Sequence, residues 1–382
     1  MKFLTLKPIF LSVYLITIIL VSCDNGTKPT DHVANEKTSA ILDNIGDSLI
    51  SRIVINNVNK SVPGVLIGAT NPDNNFSYLK AFGKSDIASN QPLFRGDLFR
   101  IGGLTHTFIS TLVFKLVEQG TLGLDDPINK YLQVPHSGSI LTIRHLLSMK
   151  SGLPDYTDSI NYYLTENPKR KFSQEQLLNF TFNAMPLSYP GQKLHFALSN
   201  YFVLGVIIEK ATGNSLEDEL KKNIIEPLGL SDTFFNSESD FLGRTHARGY
   251  EFDEFNNLED VTDKYNYSWA WGSANIISDT RDLMKWAEAF TSGRLISQES
   301  LAIMKKFEVM QNDSQYKLFM GSGMMQIGPF IGYTGSINGF YTHLYHLPSK
   351  GITILITTNS PNDNSALFIR IAELIIPGVK YN

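Results

Sequence analysis

The segment FRIGGLTHTFISTLVFKLVEQG, residues 99–120, decides the architecture of this chain. Its apolar residues recur at four-residue steps, at Leu104, Phe108, Leu112 and Leu116. Residues at this spacing share one face of a helix. The pattern opens near Gly103 and runs to Gly120, so the sequence predicts one long helix whose apolar face is buried.

Strand-like segments lie on both sides of this helix. They are 64–70 and 76–82 before it and 323–331, 339–347 and 352–358 after it, with a final helical segment at 366–376. Strands at both chain ends with helices between them predict an α/β (α+β) fold, an antiparallel sheet flanked by terminal helices and interrupted by a helical domain. We place the sheet part at about 40–100 and 287–380 and the helical part at about 101–286.

The composition indicates a globular protein, since 42% of the 382 residues are hydrophobic and 18% are charged. The formal net charge is −4, and such a chain is not expected to have a nucleic-acid partner. One cysteine allows neither a disulfide nor a cysteine metal site. His343 and His346 are three residues apart on a predicted strand and face opposite ways, so we predict no metal and no other cofactor.

Residues 1–22 have the pattern of a signal peptide, with two lysines near the start and an apolar run that is short for a membrane span. The run ends in LVSC, residues 20–23, which resembles the lipobox of bacterial lipoproteins. In such proteins the cysteine, here Cys23, receives a diacylglycerol anchor. Residues 23–39 would tether a domain of residues 40–380 to the membrane. These features predict a cell-envelope lipoprotein on the periplasmic or cell-surface side.

Several further segments occur in an order that resembles the β-lactamase-related serine hydrolases. That family includes class C β-lactamases, penicillin-binding proteins, D-alanyl peptidases and esterases. The segments are FRIG at 99–102, LGLDDP at 122–127, TIRHLL at 142–147, SGLPDY at 151–156, YPG at 189–191 and EPLGL at 226–230. The resemblance spans about residues 40–380 and implies a β-lactamase/penicillin-binding-protein-like fold.

The resemblance also implies a mechanism of acyl transfer. A serine at the start of the long helix attacks a carbonyl, and a lysine three residues later activates it. A Tyr-x-Asn element supplies a proton-transferring hydroxyl and an orienting amide. A Lys- or His-Thr-Gly element on a strand completes the pocket, and two backbone N–H groups form the oxyanion hole.

Each of these side-chain positions is substituted in this chain. The Ser-x-x-Lys slot has Gly103 in place of the nucleophile and His106 in place of the lysine. The Tyr-x-Asn slot has Phe196 and Leu198, and Tyr333 stands where the third element has its basic residue. The sequence therefore predicts a degenerate member of the family without an assignable catalytic residue.

The backbone of the site is expected to survive these substitutions. The amides of Gly103 and Ser336 would still converge as oxyanion-hole donors and bind a carbonyl or carboxylate without catalysis. The residues expected to line the pocket are His106, Phe196, Leu198, Tyr333, Thr334 and Gly335. Such a lining is more apolar and aromatic than that of an active enzyme, as suits a binding pocket.

Other candidate catalytic groups fit the chemistry poorly. Two further Ser-x-x-Lys sequences occur, at residues 77–80 and 314–317. The first lies on a strand-like segment, where residues three apart face opposite sides of the strand, and the second lies in a polar loop. Ser110 shares a helix face with His106 but lies one turn deeper, where a small packing residue is expected. His106 is interpreted as a residual general base or as a buried residue bonded to a backbone carbonyl, and the missing nucleophile favours the second. Tyr333 either orients a ligand through its hydroxyl or packs.

Two functions stay open at this point. The favoured one is a non-catalytic pseudoenzyme that binds a peptide, a glycan or another small ligand beside the membrane, because serine catalysis depends on nucleophile and base together. The alternative is an active hydrolase of the β-lactamase, D-alanyl peptidase or esterase type. Its catalytic residues would be rearranged, or its water would be activated by His106.

Overall fold

The structure, a computed structural model, describes residues 62–72, 76–134, 140–237, 241–312, 316–360 and 365–381. One large sheet contains β1 (Gly64–Asn71), β2 (Phe76–Asp86), β3 (Gln91–Pro92), β9 (Glu308–Asn312), β10 (Lys317–Met320), β11 (Met325–Ile327), β12 (Phe330–Ile337), β13 (Phe340–Leu347) and β14 (Ile352–Thr358). Its nine strands are antiparallel, in the order β3-β2-β1-β14-β13-β12-β11-β10-β9.

The remaining strands are short and form two small sheets. They are β4 (Phe99–Arg100), β5 (Phe234–Phe235), β6 (Tyr250–Phe252), β7 (Leu258–Asp260) and β8 (Ile276–Ser278). β8 pairs with both β4 and β5, and β6 pairs with β7. Because β4 leads directly into the long helix, its pairing with β8 ties the start of that helix to the rest of the fold.

The helices are α1 (Thr105–Glu118), α2 (Ile143–Leu147), α3 (Tyr156–Glu166), α4 (Gln174–Asn183), α5 (Leu198–Thr212), α6 (Leu216–Leu220), α7 (Glu226–Leu228), α8 (Thr280–Ser292), α9 (Gln298–Met304) and α10 (Ser365–Ile375). Most of α1 and α5 is buried, and the two helices pack against each other at the centre of the helical part. No helix in the described part of the chain is both long and apolar enough to cross a membrane.

The two ends of the domain meet in the large sheet. β1 pairs with β14 along six residues, with Val65 opposite Thr358. All seven residues of β14 are buried, because α8 and α10 both pack against this strand. The large sheet is therefore built from the first and last strands of the described chain, and helices α1 to α7 come from the chain between β4 and β8.

The predicted α/β fold with an antiparallel sheet and inserted helices is confirmed. The long helix begins at Thr105, after a single 3-10 turn at residues 102–104, and ends at Glu118. The expected C-terminal helix is α10. The expected N-terminal helix, which begins near residue 41, lies outside the described residues.

One predicted strand was wrong. The segment 323–331 is not one strand, because the chain turns at Gly328, whose φ is +53°, between β11 and β12. The strands β9 and β10 were not predicted, and Ser314, expected in a polar loop, lies outside the described residues. The boundary placed at 286/287 falls inside α8, which packs on four strands of the large sheet.

Candidate functional site

A cavity of about 370 Å³, called the cleft below, lies where β12 meets the starts of α1 and α5. Gly103, Phe196, Leu198, Thr334 and Ser336 are among the residues that line it. The structure thus brings part of each of the three substituted slots to one cavity. The hairpin of β9 and β10, β11 and the start of α10 contribute the other walls.

Two glycines allow the backbone to approach closely enough to form the cleft. Gly102 has a φ of +54°, and a Cβ at this position would lie 2.5 Å from the Ser336 carbonyl oxygen. A Cβ on Gly335 would lie 2.0 Å from the Ile101 carbonyl oxygen. Side chains at these positions are therefore excluded, and the 3-10 turn rests directly on β12. This contact places Gly103 and Ser336 on the same cavity, and the convergence of their amides as oxyanion-hole donors stays a prediction.

Gly103 is different, because nothing in its surroundings requires a glycine. Its φ lies outside the left-handed region, and an added Cβ would lie 3.8 Å from both His106 Cε1 and the Thr334 carbonyl oxygen. These are ordinary van der Waals distances, so a serine fits at this position. The lack of a nucleophile at the start of α1 is a chemical change that packing does not impose.

His106 and Tyr333 do not line the cleft as we expected. Both side chains are fully buried, and His106 Nδ1 lies 2.8 Å from Tyr333 Oη in a hydrogen bond. The His106 ring also stacks on Tyr201, with ring centroids 3.9 Å apart. The aromatic and hydrogen-bonding contacts together hold the pair behind the cleft wall. The partner of Nδ1 is a phenol, and the backbone at Ser273 is a second polar neighbour of His106, of the kind we expected.

Burial changes the acid–base character of this pair. It lowers the pKa of His106 to about 3, and the backbone at Ser273 opposes the shift only in part. Nε2 is enclosed as well and makes no hydrogen bond of regular geometry within the described residues. Burial also raises the pKa of Tyr333 well above its ordinary value. Both groups are therefore neutral at pH 7.

The apolar replacements in the second slot lie beside a carboxylate that the sequence analysis missed. Asp155 Oδ2 accepts a hydrogen bond of 2.8 Å from the backbone N–H of Leu198, the first residue of α5. Its Oδ1 accepts hydrogen bonds from the N–H and the hydroxyl of Thr157 and caps α3. The available signal was an aspartate directly before a helical segment, which is a common N-cap. Asp155 lines the cleft together with Phe196.

Thr334 connects the cleft to buried side chains of β13. Its hydroxyl lies 2.9 Å from His343 Nδ1 and 3.0 Å from Tyr345 Oη, and Tyr345 also lines the cleft. Gly335 is not among the lining residues, because it lies under the 3-10 turn. Thr334 is therefore held in place by neighbours that the sequence alone did not assign to the site.

The two other candidate nucleophiles that the structure describes, Ser77 and Ser110, are not among the residues that line the cleft. Ser110 is fully buried, and its hydroxyl donates to the Thr107 carbonyl oxygen of its own helix at 3.1 Å. Ser77 and Lys80 both belong to β2, and Ser314 lies outside the described residues. Ser110 thus has the packing role that we expected.

Two other features of the surface differ from the cleft. A groove of about 720 Å³ beside Met185, Leu187 and Tyr189 is larger, but none of the substituted slot residues is among the described residues that line it. Three carboxylates, those of Asp232, Asp279 and Asp282, approach within 4.8 Å of one another. Arg244, Arg281 and Lys285 pair with them, so their charge is already compensated.

The family model described as Beta-lactamase matches residues 47–374 of this chain. The chain belongs to the beta-lactamase family. Penicillin-binding protein 4* of Bacillus subtilis is 26% identical over 325 residues, which cover 80% of this chain and 70% of that protein. The D-alanyl-D-alanine-carboxypeptidase/endopeptidase AmpH of Escherichia coli is 23% identical over 76% of this chain and 78% of its own length.

Solved structures support the beta-lactamase family fold. D-amino acid amidase from Ochrobactrum anthropi, complexed with L-phenylalanine, superposes with a TM-score of 0.77 at 24% identity, over 86% of this chain and 98% of its own. The octameric penicillin-binding protein homologue from Pyrococcus abyssi superposes with a TM-score of 0.76 at 25% identity, over 86% of this chain and 77% of its own. The family resemblance expected from the sequence motifs is therefore confirmed.

Proposed function

We propose that this member of the beta-lactamase family is a non-catalytic protein of the bacterial cell envelope that binds a small ligand in its cleft. The proposal rests on the residues found at the serine and lysine positions of the Ser-x-x-Lys motif. Gly103 offers no nucleophile at the cleft, and His106 is sealed beneath it against Tyr333. Catalysis by the family mechanism depends on both groups together.

The hydroxyls that remain in the cleft have no lysine, arginine or histidine beside them among the described lining residues, which include Thr334, Ser336 and Ser365. One histidine reaches a cleft hydroxyl from behind the wall, since His343 Nδ1 lies 2.9 Å from the Thr334 hydroxyl, which Tyr345 Oη also contacts at 3.0 Å. A serine hydroxyl is a weak nucleophile until an adjacent base takes its proton, and the hydroxyl beside His343 belongs to a threonine that is shared with a tyrosine. This arrangement favours hydrogen bonding with a ligand over attack on it.

Water activation by His106 is also disfavoured. Its side chain is fully buried, and Nδ1 is occupied by Tyr333. A group with a pKa of about 3 is a weak base at neutral pH, since an effective general base has a pKa near the operating pH. This weighs against the alternative of an active hydrolase, which the peptidase and amidase names of the relatives keep in view.

The two functions differ in whether the protein forms a covalent adduct. The full chain, purified in mild detergent, is incubated with a fluorescent penicillin and a chromogenic cephalosporin, and its intact mass is recorded. We expect no adduct and no turnover. An acyl adduct, or turnover that disappears in the His106→Ala variant, would contradict the non-catalytic function and support the alternative.

We further propose that a lipid on Cys23 holds the protein at the membrane, where a peptide or a glycan of the envelope is available as a ligand. The support is the signal-peptide pattern and the LVSC sequence before the domain. In a bacterial host fed labelled palmitate, the chain should incorporate the label and Cys23→Ser should not. The matched Ser22→Ala variant keeps a small residue before the cysteine and should be labelled like the original, and labelling of Cys23→Ser would refute the anchor.

A further inference from the structure

The cleft has a distinctive charge. Asp155 is the only aspartate, glutamate, lysine, arginine or histidine among the described residues that line it. The formal charge on the described lining of the cleft is therefore that of one carboxylate.

The charge of Asp155 is solvated by dipoles but is not neutralised. Its three hydrogen-bond donors are the N–H of Thr157, the hydroxyl of Thr157 and the N–H of Leu198, all of them neutral groups. Asp155 forms no ion pair with another described residue. A carboxylate accepts about four hydrogen bonds, so one position on Oδ2 stays available to a ligand.

The substituted slots remove the positive charges that would oppose Asp155. The family motif implies a lysine at position 106 and a lysine or histidine at position 333. His106 is neutral because it is buried, and Tyr333 is a neutral phenol bonded to it. The cleft has therefore lost both basic groups and kept an acid.

The walls around this carboxylate are aromatic and apolar. Phe196, Tyr316, Tyr341 and Tyr345 supply rings, and Leu198 lies on the same wall as Asp155. Aromatic faces attract cations through their quadrupole, and most strongly where water is excluded. A volume of about 370 Å³ is near the lower end of the range for small-molecule sites.

From this arrangement we infer that the cleft binds an organic ammonium ion joined to an aromatic or apolar group, with the ammonium at Asp155, and disfavours carboxylates. This inference rests on the proposed binding function and specifies its ligand class. A bound carboxylate would face Asp155 without a counter-charge among the described lining residues, and like charges at short range repel each other. An ammonium gains both the ion pair and the aromatic walls.

The test uses three probes that share a phenethyl group and differ in charge: phenethylamine, 3-phenylpropanamide and 3-phenylpropanoate, of which the amide and the carboxylate have the same shape. Their affinities for the full chain in mild detergent are measured by calorimetry at pH 7. We expect the amine to bind about tenfold or more tightly than the carboxylate, with the amide between them. Raising the salt concentration from about 20 mM to about 500 mM should reduce the difference, because salt screens exposed charges.

Asp155→Asn identifies the origin of the preference. Asparagine is also a good N-cap and its oxygen can accept the hydrogen bonds of Thr157, while its NH2 group replaces the oxygen that accepts from the Leu198 N–H. Circular dichroism and thermal unfolding therefore accompany the binding measurement and establish that the variant is folded. The variant should bind the amine about tenfold more weakly and the neutral amide about as well as before. The control Asp253→Asn removes the same charge from an exposed turn, where Asp253 accepts hydrogen bonds from the N–H groups of Phe255 and Asn257, and it should change nothing.

The possible outcomes separate this inference from the proposed function. Equal affinities, tighter binding of the carboxylate, or a preference that survives Asp155→Asn would overturn the inference while leaving a binding cleft. Failure of all three probes to bind would overturn it as well. Covalent acylation by the fluorescent penicillin would instead overturn the non-catalytic function, whatever the probes do.

Discussion

His106 and Tyr333, which the sequence motifs predict at two catalytic positions of the family, are hydrogen bonded to each other, with Nδ1 and Oη 2.8 Å apart. Neither side chain is exposed to solvent. Both residues thus contribute to the packing between α1 and β12. This pairing makes their contribution to stability, rather than to catalysis, the quantity to measure.

Tyr333→Phe should lower the free energy of unfolding by about 1–3 kcal/mol. The substitution keeps the ring but leaves His106 Nδ1 buried without its partner, and an unsatisfied buried polar atom costs about this much. Urea unfolding followed by circular dichroism measures the change. Tyr162→Phe, at a position 69% exposed, is the matched control and should be within about 0.5 kcal/mol of the original. Similar values for the two variants would mean that the buried bond contributes little.

The stability should fall as the pH drops from about 6.5 toward 3. The pKa of His106 is lowered from 6.5 to about 3 by folding, mainly through burial, so the unfolded chain binds the proton first. Stability declines with pH wherever the unfolded state binds more protons, and at pH 5 this histidine alone accounts for about 2 kcal/mol. His106→Gln, which does not titrate, should lose that part of the difference between pH 7 and pH 5. His195→Gln, at an exposed site, should keep it.

Two adjacent glycines should respond very differently to alanine. A Cβ on Gly102 would lie 2.5 Å from the Ser336 carbonyl oxygen in a residue with φ of +54°, whereas a Cβ on Gly103 meets nothing closer than 3.8 Å. Gly102→Ala should therefore cost about 3 kcal/mol or more, or prevent folding, and Gly103→Ala should change stability by about 1 kcal/mol or less. Thermal unfolding of both variants measures this. Equal effects would contradict the close contact between the 3-10 turn and β12.

Gly103→Ser should restore a hydroxyl at the nucleophile position without restoring catalysis. The side chain fits, but no base is placed to activate it, because His106 is neutral, bonded to Tyr333 and of low basicity. Intact mass after incubation with the fluorescent penicillin should show no adduct. Adding His106→Lys, Phe196→Tyr and Leu198→Asn supplies the other groups that the family motif implies. Acylation of the single variant would show that a hidden base exists.

Much of the fold and part of the site followed from the sequence. The four-residue spacing in residues 99–120 predicted the buried helix, because helical periodicity is a local property that any packed helix must satisfy. The strand β14 was also predicted from a local pattern, and its predicted bounds agree with the structure. The hairpin of β9 and β10 was missed, because both strands are short, neither shows a clear alternation of apolar and polar residues, and their pairing is interrupted by a bulge between Leu318 and Phe319.

The sequence likewise predicted some residues of the site and missed others. The order of the motifs predicted where the three catalytic elements of the family would lie. The different residues at Gly103, Phe196 and Leu198 can be read from the sequence. The involvement of Asp155 was not predicted, since its carboxylate reaches the N–H of Leu198 across 43 positions of the chain. An N-cap aspartate has the same local signature whether or not it also faces a cavity.

The sequence by itself determined the helix and strand pattern, the membership suggested by the motifs and the absence of the expected nucleophile, because each depends on residues close together in the chain. Only the tertiary structure decided that His106 and Tyr333 face each other rather than a ligand, and that Asp155 does line the cleft. The physical reason is that burial and hydrogen-bond partners arise where separate segments meet. In the Ser-x-x-Lys segment, the sequence showed that the serine and the lysine are replaced. The packing of α1 against β12 decided that His106 bonds to Tyr333.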